Sequence, residues 1–217
     1  MNFFGHACLA AAANGDARFV LGAMLPDFAP MAGVRIESID DASLAAGHAH
    51  HVATDVTFHG AAEFTTWAAE ASRALQAAGV RRGPARGVAH VGIELLLDGW
   101  LAKTRGVPSV YREALASAPQ LEGVIRFRGA SKPATATMSR QGALADLCRR
   151  VAQSPLPAAY GAPAFTTERI FRILGRRPRL AARAHERTAI SAWTETTAHE
   201  LGERAPALLA AVETGAG

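Results

Sequence analysis

Twice along this chain three ligand-type side chains recur at the spacing of one helical face: His51, Asp55 and His59, then His90, Glu94 and Asp98. Four residues advance an α-helix by about 400°, so each step drifts by only about 40° and all three side chains stay on one side. Two such helices facing one another would gather imidazoles and carboxylates into a single polar pocket. That donor set suits a hard or borderline divalent cation.

The rest of the sequence agrees with a helical fold. Of 217 residues 49% are hydrophobic, and Ala is the commonest type, which favours helix over sheet. The length suits one all-α domain, a multi-helix bundle with the metal site between core helices. It divides into a metal-site half (1–104) and an Arg-rich helical half (105–217). Cys8 and Cys148 form no disulfide framework, so a reducing cytoplasmic setting is the expectation. The apolar start, Met1 to Ala13, lacks a basic leader and contains His6, so no cleaved signal is expected. No stretch approaches the ~20 apolar residues of a membrane span.

Helix boundaries follow from Gly, Pro and capping residues. The pattern predicts helices over Asn2–Ala13 and, carrying the two stripes, after a cap at Asp41 or Ser43 and from Gly83-Pro84 onward, with Pro84 in the first turn. Further helices are expected over Ala62–Ala78, closed by Gly79, from Pro108 to about Ala116, and over Leu144–Val151, Thr166–Leu174 and Arg179–Glu203. Phe19–Leu25 reads as a short element stopped by Pro26-Asp27, Phe28–Asp41 as a loop, and Gly129–Thr137 as the clearest internal loop. No segment carries a strong strand pattern.

His51, Asp55 and His59 are the strongest ligand candidates, with His48 and His50 beside them as supporting or solvent-facing imidazoles. Glu94 and Asp98 lie among Val, Ile and Leu, where unpaired carboxylates are costly to bury. A metal would supply the missing positive charge, and so would Arg, which makes up nearly all the basic residues. His6, inside an apolar helix, and Asp27, directly after Pro26, carry little signal alone.

The order Met1-Asn-Phe-Phe-Gly-His6, Gly22-Ala-Met-Leu-Pro-Asp27-Phe, His51-x-x-x-Asp55 and Leu97-Asp98-Gly-Trp-Leu101 resembles the acyl-carrier-protein phosphodiesterases. These are all-α, metal-dependent hydrolases related to the His-Asp phosphohydrolases. The likeness spans Met1 to Leu101. It departs at Val52, where the family has Arg, at His59, where it has Asp, and at Gly99, where it has His. A second likeness runs to the zinc-dependent phospholipases C and single-strand-specific zinc nucleases, through His51/Asp55, His90/Glu94 and Asp27. Those are secreted and use a terminal amine as a ligand, whereas His6 is internal.

Both resemblances imply phosphoester hydrolysis at a site of two or more Zn, Mn or Fe ions. His6, Asp27, His51, Asp55, His90 and Glu94 are the expected metal ligands, and Asp98 or His59 the expected general base or acid. Arg81, Arg82 or Arg86 would grip phosphate oxygens in a forked geometry. The implied partner is a phosphodiester substrate, carried by an acidic carrier protein in the first family. A non-catalytic helical metal-binding protein is the alternative of another class. Nucleic acid is not an expected partner, because the Arg-rich half lacks aromatic interleaving.

Overall fold

Helix formers fill this chain and β-branched runs are short, and the resulting architecture is all-α. The structure, a computed structural model, describes residues 1–128 and 139–215. Its helices are α1 (Phe3–Ala13), α2 (Ala17–Met31), α3 (Ala42–Gly60), α4 (Ala62–Ala77), α5 (Arg82–Thr104), α6 (Ser109–Ser117), α7 (Arg140–Ala152), α8 (Pro163–Leu174) and α9 (Arg187–Gly215). The two strands, β1 (Ile36–Ile39) and β2 (Ile125–Phe127), pair antiparallel with Ile39 opposite Ile125 and a bulge between Ile36 and Ser38. The Gly129–Thr137 loop lies outside the described residues. No described helix is long and apolar enough to cross a membrane.

The caps explain several boundaries. Asp41 Oδ1 accepts the Leu44 N–H at 2.8 Å and starts α3. α4 ends where Gly79 takes φ +89°, which lets the Val80 N–H reach back to Leu75 O at 2.9 Å. Three expectations fail. α2 does not stop at Pro26 but runs through Pro26 and Pro30 to Met31. Every residue from Val20 to Leu25 is buried, as are Phe28 and Ala29, and that packing outweighs the ~3 kcal/mol an interior proline costs. The Phe28–Asp41 loop contains β1, too short to show an alternating pattern. The last helix begins at Arg187 rather than Arg179 and continues through Pro206.

The chain divides into two compact units that do not follow the halves drawn from composition. The first comprises Asn2–Asp55 and Gly106–Leu156; the second comprises Met1, Val56–Arg105 and Pro157–Gly217. In the first, α2 packs against α1, α6 and α7. Phe3 meets Phe28 at 5.2 Å between ring centroids, and Phe4 meets Tyr111 edge-on at 5.2 Å. In the second, α5 packs against α4, α8 and α9 and against the turn Ala158–Gly161. That turn approaches so closely that a Cβ on Gly99 would lie 2.1 Å from Gly161 N. Arg-rich stretches of the second half form surface ion pairs, Arg150 with Asp146 at 3.1 Å and Arg204 with Glu70 at 2.8 Å among them.

The start of α5 is held by a buried carboxylate. Glu186 is 1% exposed and accepts the Arg81 N–H at 2.8 Å, Arg81 Nε and Nη2 at 3.0 Å each, and the Arg183 N–H at 2.6 Å. Burial alone would raise its pKa; the Arg81 guanidinium and the Arg81 and Arg183 N–H groups outweigh that and bring it from 4.5 to about 2. The stabilisation is therefore complete above the unfolded value and is lost as pH falls toward 2. Because Arg81 is 39% exposed and solvent screens it, Glu186→Gln should cost about 2 kcal/mol at pH 7. Urea denaturation from pH 7 to pH 2 should show wild type and variant converging below about pH 4.5; a gap that stays constant would contradict the linkage.

Candidate metal centres

In the first unit, α1, α2 and α3 bring His6, Asp27 and His51 together, with one ligand atom from each within 4.8 Å of the others. His6 is fully buried and His51 is 6% exposed. Their rings lie 3.7 Å apart between centroids. Burial, then the neighbouring His6 ring, push the His51 pKa down to about 3, so His51 is neutral at physiological pH. Its Nδ1–H donates to Ala23 O at 2.7 Å, which leaves Nε2 with its lone pair.

Thr54 on α3 holds His6 in place. Its Oγ1 lies 2.9 Å and 3.0 Å from the carbonyls of His50 and His51 and 3.0 Å from His6 Nδ1. His6 Nε2 then lies 3.4 Å from Asp55 Oδ1. A backbone or hydroxyl partner on Nδ1 of each ring is the arrangement that orients metal-binding imidazoles.

In the second unit, the last turn of α3 and the middle of α5 gather His59, His90 and Glu94 within the same 4.8 Å limit. His90 Nε2 and His59 Nε2 approach Glu94 Oε1 at 3.2 Å and 3.5 Å. The two rings stack at 4.8 Å with 6° between their planes, and Phe64 meets both edge-on. The Met1 amino group lies 3.3 Å from Glu94 Oε1. Burial alone would raise the Glu94 pKa; the Met1 ammonium, His90 and His59 more than offset it and hold the carboxyl at about 2. Glu94 is thus an anion at neutral pH, facing two imidazoles. His90 is 48% exposed, so this group opens to solvent.

The structure brings together His6, Asp27 and His51, with Asp55 against His6, and separately His90, Glu94 and His59. His59, expected from sequence either as a ligand or as a general acid or base, stands among the ligand-type atoms. Asp98 belongs to neither group and is fully buried on α5. Arg81 is engaged with Glu186, whereas Arg82 and Arg86 line a groove that reaches His90. His48 and His50 belong to neither group; both are half-buried. Sequence reasoning missed Thr54, Phe64 and the Ala23 carbonyl. Thr54 was findable as a hydroxyl three residues after His51, one turn along the same helix; the Ala23 carbonyl leaves no trace in a side-chain pattern.

No protein-family model, curated protein or solved structure matches this chain.

Proposed function

We propose that this chain is a metal-dependent phosphoric-ester hydrolase. Divalent ions, Zn, Mn or Fe, would be held by His6, Asp27, His51 and Asp55 in the first unit and by His59, His90 and Glu94 in the second. The observation that carries the reading is the gathering of His6, Asp27 and His51, with one ligand atom from each within 4.8 Å of the others and the Asp55 carboxylate 3.4 Å from His6 Nε2. A mixed imidazole–carboxylate set is what these ions select.

A bound divalent ion supplies Lewis-acid stabilisation of a phosphoryl oxygen and makes water a competent nucleophile near neutral pH. The chain's own residues supply the rest. Thr54 and Ala23 fix the orientation of His6 and His51. Glu94 remains ionised, and the exposure of His90 gives the second group the open side that a catalytic site keeps and a structural site lacks. Arg82 and Arg86 stand beside His90, where a phosphate could be gripped. The unbridged Cys8 and Cys148 are in keeping with a reducing, cytoplasmic setting.

Protein purified without a His tag should carry about two divalent ions per chain, hydrolyse bis-p-nitrophenyl phosphate, and lose turnover to a chelator and regain it with Zn, Mn or Fe. Esters of a phosphopantetheine carrier and of a phosphocholine lipid, assayed in parallel, separate the two resemblances. Bound metal with no turnover on any of the three esters would favour the non-catalytic metal-binding alternative. Turnover indifferent to chelation would overturn the metal reading.

A further inference from the structure

A groove of about 450 Å³ runs between α4 and α5 and ends at His90. One wall carries Arg73 and Gln76 from α4; the other carries Arg82, Arg86 and His90 from α5; Phe64 adds an apolar surface beside the His59 and His90 rings. The volume is that of a small-molecule cleft. Among the described residues, no ion pair involves Arg73, Arg82 or Arg86, in contrast to Arg81, which Glu186 neutralises. The groove therefore presents guanidinium charge to whatever enters it.

The order of groups along the groove is set by the helix. Arg82, Arg86, His90 and Glu94 follow one another at four-residue steps on one face of α5, and each step advances about 6 Å. The chemistry thus changes along a line. Glu94, His90 and His59 form the metal-type end; Arg86 stands about one turn away and Arg82 about two, with Arg73 opposite on the neighbouring helix. A ligand with a single phosphate at His90 would leave the distal guanidiniums unmatched. A ligand with a second phosphate one or two turns away would pair with them in the forked geometry that Arg offers. Phe64 beside His59 and His90 suits the organic part that joins the two phosphates.

We propose that the groove between α4 and α5 is an anion subsite, and that the substrate is a small organic phosphoester bearing a second phosphate, which Arg82 and Arg86 bind while the ester to be cleaved lies at His90. The inference rests on the hydrolase reading for what happens at His90, but binding tests it without turnover. Calorimetric titration of thymidine 3′,5′-bisphosphate and thymidine 5′-monophosphate into the metal-loaded protein compares ligands that differ only in the second phosphate. The bisphosphate should bind at least about tenfold more tightly. Arg82→Gln/Arg86→Gln should erase that preference; these side chains are exposed, so the fold should stay intact, and an unchanged thermal midpoint checks it.

Equal affinity for the two ligands in the wild type, or a preference that survives in the double variant, would overturn the subsite. Hydrolysis is read separately, with thymidine 5′-(p-nitrophenyl phosphate) and its 3′-phosphorylated counterpart. On the proposal the 3′-phosphate lowers KM, and the double variant raises KM for the bisphosphate ester far more than it lowers kcat. A binding preference without turnover of either ester would retain the subsite and sink the hydrolase reading. Turnover without the preference would do the reverse.

Discussion

If the first unit holds a metal for hydrolysis as proposed, His51→Ala is expected to lower turnover of bis-p-nitrophenyl phosphate by about three orders of magnitude and to lower the metal content. His51 contributes a neutral imidazole whose Nδ1–H is fixed by Ala23 O at 2.7 Å, so its lone pair is available at no cost of deprotonation. No neighbouring imidazole replaces it, because His48 and His50 stand outside the group. Metal content measured beside kcat/KM separates loss of the ion from loss of chemistry. Turnover that persists within about tenfold of wild type would remove His51 from the site.

The same unit offers a test of what lies between His6 and Asp55. An ordinary ion pair would require His6 to carry two protons and Asp55 to neutralise it. On the metal reading His6 is singly protonated with its Nε2 lone pair toward the Asp55 carboxylate, 3.4 Å away, so that the two repel once the ion is removed. Asp55→Asn puts an N–H donor where the carboxylate stood. In chelator at pH 8, the variant should be as stable as wild type or more so, because the repulsion is replaced by a hydrogen bond. A protein held by a His6–Asp55 ion pair would instead be weakened by the same change. Urea midpoints of the two proteins decide between them.

The fold was legible in the sequence wherever local signals and tertiary packing agreed. Asp41 as a cap, Gly79 as a stop and the opening of α5 around Gly83-Pro84 are local features, and the structure uses all three. Pro26 and Pro30 gave the opposite result. Their local signal is a break, but the fully buried segment before them belongs to a helix that tertiary contacts continue. β1 has four residues and β2 three, too few for a period of two to stand out.

The candidate site was legible by residue type and spacing, less so by grouping. The i, i+4, i+8 rule places His51, Asp55 and His59 on one face but is silent about which neighbours meet that face. His51 and Asp55 gather with α1 and α2 residues, whereas His59 gathers with His90 and Glu94. Asp98 shows the converse limit, since its spacing from Glu94 matches the stripe while its carboxylate joins neither group. His6 and Asp27 were visible only through the resemblance, because a single His in an apolar helix and a single Asp after a proline carry no periodicity.

Gly47→Val should be strongly damaging although Gly47 lies outside the ligand groups. α2 and α3 cross with their backbones in near contact, and Gly22 and Gly47 mark the crossing. A Cβ on Gly47 would lie 1.9 Å from Phe19 O, and one on Gly22 would lie 2.2 Å from Leu44 O. The obstructing atoms are backbone carbonyls, not the ends of flexible side chains, so relief requires the helices to separate. Ordinary overpacking costs about 1–3 kcal/mol; with two backbones to displace, about 4 kcal/mol or more is expected. For a chain of this length that corresponds to a fall of roughly 10 °C in the thermal midpoint. The helices forced apart are the ones that supply Asp27 and His51, so the variant should also lose metal affinity at temperatures where it remains folded. Gly202→Val is the control, since nothing lies within 4 Å of a Cβ at that position, and it should retain metal affinity and the wild-type midpoint, because Val is no worse a helix former than Gly. A Gly47→Val protein with wild-type midpoint and wild-type metal affinity would mean that the close crossing of α2 and α3 does not hold the first group in place.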